Sequence, residues 1–231
     1  MRRLADASWQ EAERGGILVV PLGATEQHGP HLPLGTDTAI ATALVDRLGA
    51  ARPAAWLVPA IAIGASGEHA DFPGTLSFGS RALTTALIEL GRSADHFDGL
   101  YFVNWHGGNT AAVHHAVAAL ADEGRRVADW QPSPGDLAGN VDWDLHAGRL
   151  ETSLMLAIDP KSVRPDLAAA GSGARTSRTL DRLREEGVRA VSPSGVLGDP
   201  CGATAEEGGR LLDLLSADLV ASYDAFATGL E

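Results

Sequence analysis

Apolar positions along the chain follow two rhythms: short β-branched runs that mark strands, and i, i+3, i+4 spacings that mark helices. Ser8-Trp9-Gln10-Glu11 reads as a capping box opening a short helix that stops at Gly15-Gly16. Ile17–Leu22 is an apolar run read as a buried strand, and a polar loop follows it. Over 37–48, Ile40, Leu44, Val45 and Leu48 share one helical face. A second strand is predicted over 56–63, interrupted by Pro59, before a Gly-rich loop at 64–74. Ser80 is the expected cap of a helix with Leu83, Leu87, Ile88 and Leu90 inward. A third strand at 100–103 leads into Asn104-Trp105-His106-Gly107-Gly108-Asn109, a helix at 110–123 and a fourth strand at 126–130. Residues 132–141 read as loop, and 146–158 as a helix with Leu150, Leu154 and Ile158 in register. A polar Gly-rich loop at 171–176, a charged helix at 180–186 and a strand at Val188–Val191 come next. After a Gly/Pro-rich loop, the last helix runs over Ala205–Ala227.

Alternating strands and helices predict an α/β layered fold with a mostly parallel sheet, and no composition break divides residues 1–231 into two domains. Ligands collect at the carboxyl ends of strands in such sheets. Two polar clusters sit there: Glu26-Gln27-His28 follows the first strand and His106 follows the third.

Charge narrows the function. The formal net charge of −12 repels nucleic-acid phosphates and anionic membranes, and no Lys/Arg-rich block with interleaved aromatics overrides it. Nucleic acid and membrane are therefore not expected partners. Cys201 is the only cysteine, so no intrachain disulfide forms, which suits a reducing compartment. The opening MRRLADASWQEAERGG has no apolar core after its arginines and does not read as a secretory signal. The apolar run at 16–22 is too short to span a bilayer, and the expectation is a cytoplasmic protein.

The run GATEQHGPHLPLGTD at 23–37 carries the chemistry. Glu26, His28 and Asp37 offer two oxygen ligands and one imidazole, a set that divalent cations of borderline character accept. Asp37 also suits a helix N-terminus, a role Thr36 can fill instead. His106 is followed by two glycines that let backbone approach an ion or ligand. His146 precedes a predicted helix with Glu151 in its first turns. Two divalent cations against Glu26, Asp37, Glu151 and one shared hydroxide form a neutral cluster, and a neutral cluster can be buried. Any single buried histidine is more often a hydrogen-bonded core residue than a ligand. His96, His114 and His115 are accordingly not expected to be ligands, the last two lying on a predicted helix and facing solvent or a subunit contact. His31 is either a loop hydrogen-bonding residue or a supporting one, Glu68-His69 either lines the pocket or steadies a turn, and Glu206-Glu207 is an acidic first helical turn.

Together, Thr25 to Pro33 with Asp37, Asn104 to Asn109, His146-Ala147-Gly148 and Glu151-Thr152-Ser153 resemble the creatininase (creatinine amidohydrolase) family. The segments at 64–76 and 191–204 are most similar to its mycofactocin-system members, peptidases acting on a modified ribosomal precursor peptide. The resemblance implies a three-layer α/β/α sandwich and a dinuclear centre. By motif position, Glu26, Asp37 and His106 would hold one metal, and His28, Asp37 and an acidic residue the other. Creatininase itself carries a glutamate two residues after the motif histidine, where this chain has Gly108; Glu151 is then the expected replacement. His146, with Glu151, is the expected catalytic pair, the histidine stabilising the tetrahedral intermediate and protonating the departing amine.

The same resemblance implies iron(II), with zinc or manganese compatible with the ligand types, and a homo-oligomer, hexamers being common in the family. The implied reaction is release of a modified Val-Tyr-derived C-terminal dipeptide. The alternatives are a small-molecule amidohydrolase acting on creatinine or a formamide, and a non-catalytic metal-stabilised scaffold.

Overall fold

A computed structural model of the protein describes residues 2–12, 15–133, 144–172, 182–183 and 185–228. Five strands form one sheet: β1 (Arg2–Arg3), β2 (Ile17–Leu22), β3 (Trp56–Leu57), β4 (Gly99–Asn104) and β5 (Val127–Trp130). Their order across the sheet is β1-β3-β2-β4-β5, with every pairing parallel. Parallel neighbours require crossovers, and α1 (Trp9–Ala12), α2 (Thr36–Ala51), α3 (Gly79–Ser93) and α4 (Thr110–Asp122) lie on them, while α5 (Arg149–Ile158), α6 (Val188–Val191) and α7 (Ala205–Ala227) follow the last strand.

Every residue of β2 and β4 is buried, because helices cover both faces of the sheet. The period of two sorts their side chains. Ile17, Val19, Tyr101 and Val103 pack with Leu44, Leu48, Leu154, Leu215 and Leu219 from α2, α5 and α7. Leu18, Val20, Leu22, Leu100 and Phe102 pack with Leu83, Leu87, Val113 and Leu120 from α3 and α4. The result is a three-layer α/β/α sandwich with a parallel central sheet.

Several elements depart from the sequence reading. The strand predicted over 56–63 pairs as a ladder only at Trp56–Leu57 and touches β2 again at a single bridge, Leu22 to Ile61. Pro59 cannot continue a ladder, and Pro21 on β2 offers no N–H to receive one. The segment instead donates from Ile61 N to Pro21 O. The helix predicted over 146–158 starts at Arg149. Ala147 adopts φ +57°, which turns the chain out of the helical path and leaves His146 on the preceding turn. Val188–Val191 is helical rather than extended. Val188 is buried, and Arg189 donates to Asp71 O at 2.6 Å, so tertiary contacts override the strand preference of valine.

Ser80 lies inside α3, whose N-cap is Phe78. Ser8 fulfils half of the predicted capping box, since its N–H and hydroxyl both donate to Glu11 Oε2. Residues 13–14 of the first predicted helix, 134–141 and 173–176 of two predicted loops, and 180, 181 and 184 of the charged helix lie outside the described residues.

Candidate metal centre

The carboxyl ends of β2 and β4 deliver the polar residues. Glu26, Gln27 and His28 lie on the loop leaving β2, and His106 stands two residues past β4. Two asparagines fix these loops. Asn104 Oδ1 accepts from His106 N at 3.2 Å, and Asn109 Nδ2 donates to Gly23 O at 3.0 Å. Asn109 Oδ1 accepts from Ala65 N at 2.8 Å, so one side chain ties three loops together. Thr36 Oγ1 donates to Pro33 O at 2.8 Å and closes the turn before α2. Asp37, in the first turn of α2, makes no capping bond and faces the site.

Glu26, His28, Asp37 and His106 are all 5% exposed or less. Together with His146 and Glu151 they form three groups whose ligand atoms lie within 4.8 Å of one another: Glu26, Asp37 and His106; His28, Asp37 and Glu151; and Glu26, His28 and His146. The first two share Asp37 and consist of residues named as candidate ligands from the sequence.

The hydrogen bonds of the histidines say which nitrogens face inward. His28 Nδ1 donates to Glu26 O at 3.2 Å, so a neutral ring turns the Nε2 lone pair toward Asp37 Oδ1 at 3.2 Å and Glu151 Oε2 at 3.9 Å. His106 Nε2 donates to Ala65 O at 3.2 Å, leaving Nδ1 3.3 Å from Asp37 Oδ2. His146 Nε2 donates to Gln27 O at 2.8 Å, leaving Nδ1 3.7 Å from Glu26 Oε1. Imidazole held by a backbone carbonyl through one nitrogen and presenting the other is the usual posture of a metal-ligating histidine.

Lone pairs facing carboxylates need a cation between them. Both carboxylate oxygens of Glu26 and Oδ2 of Asp37 are buried without a hydrogen-bond partner. The donor set therefore fits a pair of divalent cations held by oxygen and imidazole.

Without a metal, protons take up the imbalance. Burial, reinforced by Asp37, raises the Glu26 pKa to about 8. Burial lowers the pKa of His28, but Asp37 and Glu151 outweigh it and raise the value to about 10. His106 is likewise lowered by burial and raised on balance to about 9 by Asp37 and Glu26. Asp37 is pushed up by burial and held far below the carboxylate range by the two histidines. Burial raises Glu151 and lowers His146 well below its ordinary value. His69 is lowered to about 3 by burial and the neighbouring imidazoles.

At position 108, where the motif comparison expects a carboxylate, this chain has glycine. A Cβ on Gly108 would lie 2.2 Å from Ala65 O and 2.5 Å from His106 Nε2, so no side chain fits there. Glu151 reaches the cluster instead, its Oε2 accepting from Ala147 N at 2.7 Å. The left-handed turn at Ala147 makes that bond and sets His146 beside His28, with ring centroids 4.3 Å apart.

The residues left open in the sequence now have places. His31 is buried and bonds Thr152 Oγ1 at 3.0 Å, bracing the start of α5. His69 is buried against Glu26 and Gln27, and Glu68 lines the cavity with Oε1 4.0 Å from His106. His96, His114 and His115 are exposed and remote from the cluster. Glu207 does more than charge the first turn of α7, accepting from Arg149 Nε and Ser153 Oγ. A cavity of about 960 Å³ opens over Glu26, Asp37, His69, His106, His146 and Glu151.

Residues 5–223 match the creatininase family, described as creatinine amidohydrolase. The chain belongs to this family. Among its relatives, a mycofactocin precursor peptide peptidase of Mycobacterium ulcerans is 47% identical over 221 residues, covering 92% of this chain and 86% of that one. A mycofactocin precursor peptide peptidase of Mycolicibacterium smegmatis is 48% identical over 201 residues, covering 84% and 79%. Among solved structures, a mutant creatininase complexed with creatine superposes with a TM-score of 0.79 at 24% identity, covering 97% and 98%, which places the two in one fold. Among the described residues, no helix is long and apolar enough to cross a membrane.

Proposed function

We propose that this creatininase-family chain is a metal-dependent peptidase that cleaves a modified ribosomal precursor peptide and releases its modified C-terminal dipeptide. The observation that carries the reading is the 47% identity, over nearly the whole chain, to a protein named for that substrate. A buried ligand cluster built on one shared aspartate supports the chemistry.

Glu26, Asp37 and His106 would hold one divalent ion, and His28, Asp37 and Glu151 the other. Bound ions supply Lewis acidity and a water of lowered pKa. Around them, the chain's own groups do the rest. His146 is held through Nε2 by Gln27 O, so its Nδ1 is the atom free to take a proton at the site and return it to a departing amine. Glu151 is fixed by Ala147 N and keeps its carboxylate beside His28. The cavity falls at the upper end of the range that small-ligand sites occupy and accommodates the end of a peptide rather than a folded protein.

Iron(II) is the ion favoured by the resemblance, with zinc and manganese compatible with the same donors. The resemblance also carries a homo-oligomer, which light scattering of the purified protein measures.

The test is incubation of the metal-loaded protein with crosslinked precursor peptide under anaerobic iron(II), followed by mass. Expected is loss of the C-terminal dipeptide mass in wild-type protein and an intact peptide with His146→Ala. An intact peptide with wild-type protein, and turnover of creatinine or a formamide instead, would replace this reading with that of a small-molecule amidohydrolase.

A further inference from the structure

Four histidines ring the cluster, and one of them is held by a side-chain amide rather than by a backbone carbonyl. His28, His106 and His146 each donate to a backbone carbonyl through one ring nitrogen, and His106 Nε2 also lies 3.2 Å from Glu26 Oε2. The fourth, His69, is fixed by Gln27. Gln27 Oε1 accepts from Gly29 N at 2.9 Å, and Nε2 donates to Gly195 O at 3.2 Å. These two backbone partners settle which end of the carboxamide is the donor. The donor end meets His69 Nδ1 at 2.8 Å and also lies 3.1 Å from His146 Nε2, whose own proton goes to Gln27 O at the shorter 2.8 Å. His69 Nδ1 is therefore an acceptor, and its single proton sits on Nε2, which stands 3.3 Å from Glu26 Oε1.

We infer that Gln27 and His69 form a positioning pair, in which Gln27 sets the tautomer of His69 so that an N–H rather than a lone pair confronts Glu26. In this role His69 is not a ligand. Its N–H faces Glu26 Oε1 at 3.3 Å without a formed hydrogen bond and steadies that carboxylate electrostatically, in the manner by which outer partners orient ligating groups. Gln27 does two jobs from one residue, because its backbone carbonyl also fixes His146. The middle residue of Glu26-Gln27-His28 thus links both flanking ligands to two further imidazoles. Glycine at 195 is part of the device: a Cβ there would lie 1.7 Å from Gln27 Oε1.

The inference rests on the metal-centre reading of Glu26 but not on the identity of the substrate. Its test is tautomer assignment by ¹⁵N imidazole spectroscopy on the full-length, metal-free protein. The expected result is a protonated Nε2 and a bare Nδ1 on His69, and the opposite tautomer in Gln27→Glu, whose carboxylate can only accept. A protonated Nδ1 in the wild type, or an unchanged tautomer in folded Gln27→Glu, overturns the pair. Should Gln27→Glu not fold, the wild-type spectrum and His69→Phe still decide. His69→Phe keeps the ring and removes both nitrogens, and manganese affinity measured by titration is expected to fall about 10- to 100-fold. Unchanged affinity in folded His69→Phe also overturns it. An intact precursor peptide in the activity assay would remove the proposed substrate and leave these readouts as they stand.

Discussion

Asp37 contributes an oxygen to each of two ligand groups, so its removal acts on both at once. Asp37→Ala is expected to lose both metal ions, read by elemental analysis of the purified protein; two retained equivalents would dismiss the shared aspartate. His146→Ala is expected to keep both and lose turnover. The protons that stand in for the metals make a second prediction. Glu26, His28 and His106 titrate near 8, 10 and 9 in the folded metal-free chain, against ordinary values of 4.5, 6.5 and 6.5. All three bind protons more tightly when folded, so the folded state carries more protons than the unfolded one between those limits. Unfolding free energy then falls as pH rises through that window. Metal-free protein should show a melting temperature that declines from about pH 6.5 to 10. Metal loading at pH 7 should release protons from Glu26, His28 and His106, measurable in a weakly buffered titration. A flat melting profile with no proton release would remove the account of the cluster as protonated carboxylate and imidazole.

Helices and strands divide into those legible in the sequence and those set by distant partners. β2 and α7 fall where their periodicity puts them, at Ile17–Leu22 and Ala205–Ala227, because uninterrupted apolar patterns leave one solution. Thr204 caps α7 by accepting from Glu207 N at 3.1 Å, and Leu215 is fully buried against the sheet layer. Thr204→Ala is expected to cost about 1 kcal/mol, and Leu215→Ala about 2–5 kcal/mol, in chemical denaturation with the metal-binding stoichiometry unchanged. Equal losses for the two would mean that α7 is held by its end rather than by its buried face. Short elements were less legible. β3 stops where Pro59 interrupts it, and Val188–Val191 is helical with Val188 buried and Arg189 bonded to Asp71 O. The same holds at the site. Glu26, His28, Asp37 and His106 stood out because their ligand chemistry is local. The placement of Gln27 and His69 depends on contacts 42 residues apart, and of Gln27 and Gly195 on 168. No spacing rule announces a pairing of that range.

The whole molecule separates its stability from its chemistry. Two apolar layers, one on each face of the sheet, run the length of β2 and β4, and the one that includes Trp105 and Leu150 reaches the floor of the polar cluster. Glu26, His28 and His106 stand on loops beyond the strands, and Asp37 and Glu151 in the first turns of α2 and α5, so burial of Tyr101, Phe102, Leu154 or Leu215 does not depend on an ion. Loop ties also hold without one, through Asn104, Asn109, Thr36 and His31. This arrangement bears on whether a metal in this protein is a staple or a reagent. A small metallo-domain unfolds on chelation because the metal replaces a core; this fold has its core already. Chelation is expected to abolish hydrolysis and lower the melting temperature by the linkage of ion binding to the folded state. The far-UV circular dichroism should keep its helical signal, and readdition of metal should restore activity without a refolding step. Collapse of that signal at 25 °C would turn the centre into a structural one and favour the scaffold reading over catalysis.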